Sequence, residues 1–144
     1  MKKLIFLLVI IAIFASLFYF YPNSKKRELI TTLTPLSCDL NVSECEVDYN
    51  DKKIIFDLSP KPLKTLEETK VIIKNLEDFP KLNARLYGLN MYMGDIVGEF
   101  EKIDNAYIAD IVFSACTENT MRYRLELFND NKSLDLSIDF DVRR

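Results

Sequence analysis

Hydrophobic positions along this chain fall into two regimes. Residues 4–21 form one apolar run, LIFLLVIIAIFASLFYFY, with Ser16 its single polar member. From Cys38 onward apolar residues alternate with polar ones. Leu134, Leu136, Ile138, Phe140 and Val142 share one face, and Asp135, Ser137, Asp139 and Asp141 share the other. That strict period of two is the mark of a half-buried strand. Met121, Tyr123, Leu125 and Leu127 alternate in the same way with Arg122, Arg124 and Glu126. The polar stretch 129–132 joins the two strands as a hairpin.

Shorter strands are expected at Cys45–Tyr49, Lys53–Leu58, Leu82–Leu89, Val97–Ile103 and Tyr107–Ala115. Asn50-Asp51 and Asp104-Asn105 mark turns between them. Thr65 to Glu68 could open a helix through a capping box. The β-branched triplet Val71-Ile72-Ile73 favours a strand there. Seven or eight short strands with no strand–helix alternation point to a mainly β domain. The expectation is an antiparallel immunoglobulin-like β-sandwich of 7–8 strands behind an N-terminal transmembrane helix.

The apolar run decides the setting. Its eighteen residues span about 27 Å as a helix, close to a hydrocarbon core. Lys2 and Lys3 precede it. Phe18 to Tyr21 supply rings suited to the headgroup layer, and Pro22 stops the helix. The run is longer than a signal-peptide core, and no A-x-A triplet follows it, so it reads as an uncleaved anchor. The organisation is a transmembrane anchor over 1–22, a tether over 23–37 and an extracytoplasmic domain over 38–144. Basic residues flank both ends of the run, so charge alone does not orient it. The cysteines favour an oxidising compartment. This places a single-pass protein in the inner membrane with its C-terminal domain in the periplasm. Lys25 to Arg27 read either as a headgroup contact or as a solvated stop signal.

Composition removes several functions. The chain of 144 residues contains no His. That excludes Ser-His-Asp and Cys-His catalysis, the HExxH zinc site and His-ligated haem. With Lys2 and Lys3 set aside, 17 Lys+Arg face 22 Asp+Glu. This acidic balance argues against nucleic acid as a partner. There is no Gly-rich phosphate loop, and the reading is non-enzymatic. Asp95 and Glu99 are a weak acid/base pair and read as solvated carboxylates. Asp135, Asp139 and Asp141 read as an exposed acidic face. Asn41-Val-Ser43 is a sequon, in an acidic D-x-N-x-S context.

Three residue types carry the remaining chemistry. Cys38, Cys45 and Cys116 suit one disulfide and one free thiol, with the pairing open. All three glycines fall at 88, 94 and 98, around Met91 and Met93. This segment is expected to be a sharp connection between two strands. Thioethers are soft ligands suited to Cu(I), so Met91 and Met93, with Cys116 as thiolate, form a candidate metal set. The plainer reading is that both methionines fill gaps in the core.

The order C-x6-C, then G-x-x-M-x-M-G, then one late Cys, behind an N-terminal anchor, resembles a group of small membrane-anchored proteobacterial proteins. The stretch Leu89-Asn-Met-Tyr-Met-Gly94 carries the likeness, which covers roughly Cys38 to Leu127. The group is similar to YtkA-like and FixH-like periplasmic sandwiches, and more distantly to CopC-type copper carriers. The resemblance implies copper handling or respiratory-oxidase assembly. Without His, Cu(I) through Met and Cys is the form left open. The primary expectation is an interaction or accessory module of a membrane complex, touching the membrane and another envelope or inner-membrane protein. The alternative is a Cu(I)-handling or oxidase-assembly protein.

Overall fold

A computed structural model describes residues 10–13, 27 and 29–143. Residues 10–13 are helical. The rest of the expected span over 4–21 lies outside the described residues. Among the described residues no helix is long and apolar enough to cross a membrane.

The body is a sandwich of two antiparallel sheets. Its strands are β1 (Cys45–Tyr49), β2 (Lys52–Ser59), β3 (Glu68–Lys74), β4 (Leu82–Gly88), β5 (Asp95–Glu99), β6 (Glu101–Ile103), β7 (Ala106–Val112), β8 (Thr120–Asn129) and β9 (Lys132–Arg143). One sheet runs β1-β2-β3-β7-β6 and the other β5-β4-β8-β9. The two-sheet, mainly β architecture agrees with the alternation in the sequence. The hairpin turn at Asn50-Asp51 has φ of 48° and 59°, the left-handed pair that a two-residue type I′ turn requires.

The strand count is nine because the expected strand over Val97–Ile103 is two. Its first half, within β5, pairs with β4, and its second half, β6, pairs with β7 in the other sheet. Phe100 is the crossing point. Its N–H donates to the Leu82 carbonyl at 3.0 Å, and its ring meets Tyr107 edge-on at 6.5 Å. Alternation reports which face a residue presents but not which sheet it belongs to, so the crossover left no trace in the pattern. Val71–Ile73 lies in strand β3. The capping-box residues form a turn, with Leu66 at φ 61°.

The inner faces supply the core. Phe56, Leu58, Val71 and Ile73 of one sheet face Leu86, Tyr123, Leu125 and Phe140 of the other, all nearly fully buried. Phe113, Tyr123 and Phe140 form an aromatic trio with centroids 5.2, 5.8 and 6.1 Å apart. Between β8 and β9 the pairing changes from Glu126↔Ser137 to Phe128↔Ser133, with Asp135 at φ 52°. A slip of two residues keeps side chains on their original faces, so Leu136 stays buried.

The acidic face of β9 is not simply solvated. Arg122 donates to Asp141 at 2.8 and 3.0 Å, and Arg124 to Asp139 at 2.6 and 2.8 Å. These hydrogen bonds hold both guanidinium groups firmly protonated. Arg122 also donates to the Thr34 carbonyl at 2.6 Å, and Ile30 N–H donates to the Leu89 carbonyl at 2.8 Å. The segment after Arg27 is therefore seated on the domain. Residues 36–38 share a groove with β1 and with Ser137 to Asp139 of β9.

Cys38 and Cys45 are bridged, which leaves Cys116 as the free thiol. The enclosed turn is fastened by Asn41. Its Nδ2 donates to Asp39 Oδ1 and to the Asp141 carbonyl, both at 2.8 Å, and its Oδ1 accepts from Leu63 N–H at 3.0 Å. The nitrogen that a glycan would modify is thus turned into the fold.

Replacing Cys38 and Cys45 together by alanine is expected to lower stability by about 2 kcal/mol, the loop-closure effect for so short a loop. Denaturant unfolding of the purified chain measures this. Asn41→Ala is expected to lose about 1–3 kcal/mol through unsatisfied partners. The Asn41 side-chain and backbone donors also hold the Asp39 carboxyl below its ordinary range. A lowered carboxyl stabilises the fold above its unfolded value, near 3.9, and that contribution is lost as pH falls through the lower folded value. Stability of the Asn41→Ala protein should therefore fall less steeply on the acid side, as read from melting temperatures between pH 5 and 2.

Candidate functional site

Three loops meet at one end of the sandwich. Gly88 pairs with Tyr123, Glu68 with Val112, and Ser59 with Lys70. These pairings bring the β2–β3, β4–β5 and β7–β8 connections to the same end. Leu66 N–H donates to the Phe113 carbonyl at 2.9 Å and ties two of them together. The chain also arrives here from its N-terminal side, since Ile30 bonds to Leu89 and Arg27 reaches Asp95 at 2.5 Å.

The β4–β5 loop folds as its glycines dictate. A Cβ on Gly88 would lie 2.1 Å from the Met91 carbonyl oxygen and 2.8 Å from Met121 Cε, so only a bare backbone fits. Gly94 has φ 85°, which admits glycine without strain. Asn90 fixes the loop to β8. Its Oδ1 accepts from Arg122 N–H at 2.9 Å, and its Nδ2 donates to the Thr120 carbonyl at 2.9 Å. This amide extends the sheet pairing one step past the end of β4.

Fixed in this way, the loop delivers Met91 to Cys116. The Cys116 thiol donates to Met91 Sδ at 3.1 Å, and Glu118 N–H donates to Cys116 Sγ at 3.4 Å. Both side chains are half-buried against the core. Tyr123 stands on the inner face of β8, 1% exposed, and its hydroxyl has no hydrogen-bond partner. Burial pushes this phenol above its ordinary value, and a negative charge on Cys116 pushes it further in the same direction. The hydroxyl therefore lies within electrostatic reach of the thiol.

Of the sequence-derived candidates, Met91 and Cys116 are brought together. Met93 packs half-buried against the core two residues further on. Cys38 and Cys45 are occupied by their own bridge. Asp95 is taken up by Arg27, with Arg85 at 3.7 Å. Arg27 also lies 3.8 Å over the Tyr87 ring, and the Tyr87 hydroxyl donates to Glu126 at 2.6 Å. Burial is the main cause that raises the Tyr87 phenol, with the Glu126 carboxylate acting in the same sense. Among the described residues, no three of His, Cys, Asp and Glu converge as a metal site.

Sequence reasoning missed Tyr123, Asn90 and Arg27. Tyr123 was placed on an inward face by alternation, and a phenol on such a face is a signal in itself, since its oxygen needs a partner. Asn90 and Arg27 act through distant partners that no local pattern reveals.

Gly88→Ala is expected to destabilise the protein by about 1–3 kcal/mol through overpacking against the Met91 carbonyl. It should also raise the alkylation rate of Cys116 as the loop is displaced. Chemical denaturation and timed iodoacetamide labelling check the two effects.

No family model matches the chain, no curated protein is significantly similar to it, and no solved structure matches its fold.

Proposed function

We propose that this chain is a membrane-anchored extracytoplasmic domain that works by contact, as a non-enzymatic accessory module of a membrane complex. Its single N-terminal helix lies in the inner membrane and its body in the periplasm. The observation that carries this reading is the apolar surface at the end where the chain arrives. Leu66 is 71% exposed and Tyr92 64%, and both sit in loops at that end. Leu29, beside the bond from Ile30 to Leu89, is exposed there too. Exposed apolar residues gathered in one place mark contact surfaces.

The chain's own reach supports the setting. Arg27 follows Tyr21 by six positions. At no more than about 3.6 Å per residue, that limits the latch to about 20 Å from the end of the apolar run. The loops carrying Leu66 and Tyr92 are then held at the bilayer surface, where a neighbouring membrane protein would meet them. The strand order supports an immunoglobulin-like reading. β2-β3-β7-β6 facing β5-β4-β8-β9 follows the A-B-E-D and C′-C-F-G arrangement, with β1 added at the outer edge. Domains of this kind carry recognition on loops gathered at their ends. The sequence resemblance points to a respiratory complex as the partner.

A photo-crosslinking residue at Tyr92 or Leu66 of the full-length protein, activated in cells, should form an adduct with an integral membrane protein. The same residue at Lys132, in the hairpin at the opposite end, should not. A periplasm-dependent reporter fused after Arg144 should be active. A silent reporter reverses the topology. Equal adducts from both ends, or adducts from neither, reject the contact face.

A further inference from the structure

We propose that Cys116 and Met91 form a two-sulfur site for a soft monovalent cation, Cu(I), with the Tyr123 hydroxyl as hydrogen-bond donor to the bound thiolate. This goes beyond a contact role and does not depend on it. The two sulfurs come from different sheet connections, the β4–β5 and β7–β8 loops, and meet at 3.1 Å. Each loop is fixed independently, by Asn90 on one side and by the Leu66–Phe113 bond on the other. The meeting is therefore built by the fold and does not follow from neighbouring sequence.

The unpartnered Tyr123 hydroxyl distinguishes this arrangement from ordinary methionine packing. A buried phenol without a partner loses the hydrogen bond it would make to water, at about 1–3 kcal/mol. A thiolate beside it would repay that loss. Binding proceeds as ligand exchange. Cu(I) enters, the Cys116 S–H bond breaks, its proton leaves to solvent, and sulfur keeps the electron pair that bonds the metal. The Met91 thioether donates a second pair. No oxidation state changes, and the thiolate and the cation cancel in charge, which suits a half-buried position. Glu118 N–H and the Tyr123 hydroxyl then both donate to the coordinated sulfur, the kind of outer support that tunes a metal thiolate.

The donor set selects the metal. Thiolate and thioether favour Cu(I), and hard or borderline cations prefer oxygen or imidazole. The chain has no His. Met91 is a flexible side chain on a loop, so it can draw back to let the ion between the sulfurs.

The test titrates the full-length protein in detergent micelles with Cu(I), under a non-thiol reductant that leaves the Cys38–Cys45 bridge intact, against a chromophoric Cu(I) chelator. The wild type should withdraw one equivalent, and Cys116→Ser should leave it on the chelator. Met91→Leu should compete about tenfold less well. Met93→Leu should compete like the wild type. Tyr123→Phe should weaken competition by about tenfold while the metal-free protein melts no lower than the wild type. A wild type that leaves all Cu(I) on the chelator overturns the site. So does a Cys116→Ser protein that competes equally well, or a loss on Met93→Leu without one on Met91→Leu. Unchanged competition by Tyr123→Phe removes the phenol from its assigned role.

Discussion

The guanidinium of Arg122 is the interaction on which the rest of the arrangement depends. It is a cation with a side chain only 5% exposed, and it is acceptable there because Asp141 and the Thr34 carbonyl surround it. An unpaired charge in that position would be strongly destabilising. So β8, β9 and the segment that precedes the first strand must be in place together, or the charge has no home. The same backbone is gripped by Asn90, whose side chain accepts the Arg122 N–H. One residue thus joins the arriving chain, the last hairpin and the methionine loop.

Much of the sheet structure was legible because period two is a direct consequence of strand geometry when one face is buried. The β8–β9 hairpin could be read residue by residue, and even the slip near Phe128 obeyed the pattern, since two residues return each side chain to its face. What could not be read was partnership. Phe100 looks like any other apolar member of a strand, yet it is where the chain passes between sheets. Asp139 and Asp141 looked like solvent-facing carboxylates, because charge along a single strand says nothing of the arginines opposite.

The candidate site was legible in part for the same reason. Cys116 and Met91 were identified by chemical type, softness being a property of the atom and not of its location. Their contact depends on the lengths of two loops and on which strands those loops connect, and that information is spread over the whole topology. The choice of Cys38 with Cys45 also depended on geometry, since loop entropy alone favours a longer closure. The Asn41 turn folds the intervening residues back on themselves and brings the two sulfurs together.

The short bridge has an effect out of proportion to the loop it closes. It joins the incoming segment to β1 beside β9, the longest strand and an edge of its sheet. Uncovered edges of that length present free backbone donors and acceptors to any similar strand. Oxidation of one cysteine pair therefore guards solubility more than rigidity. In a reducing environment the inner layers of the protein would stay closed, and its flank would become a template for other copies of itself.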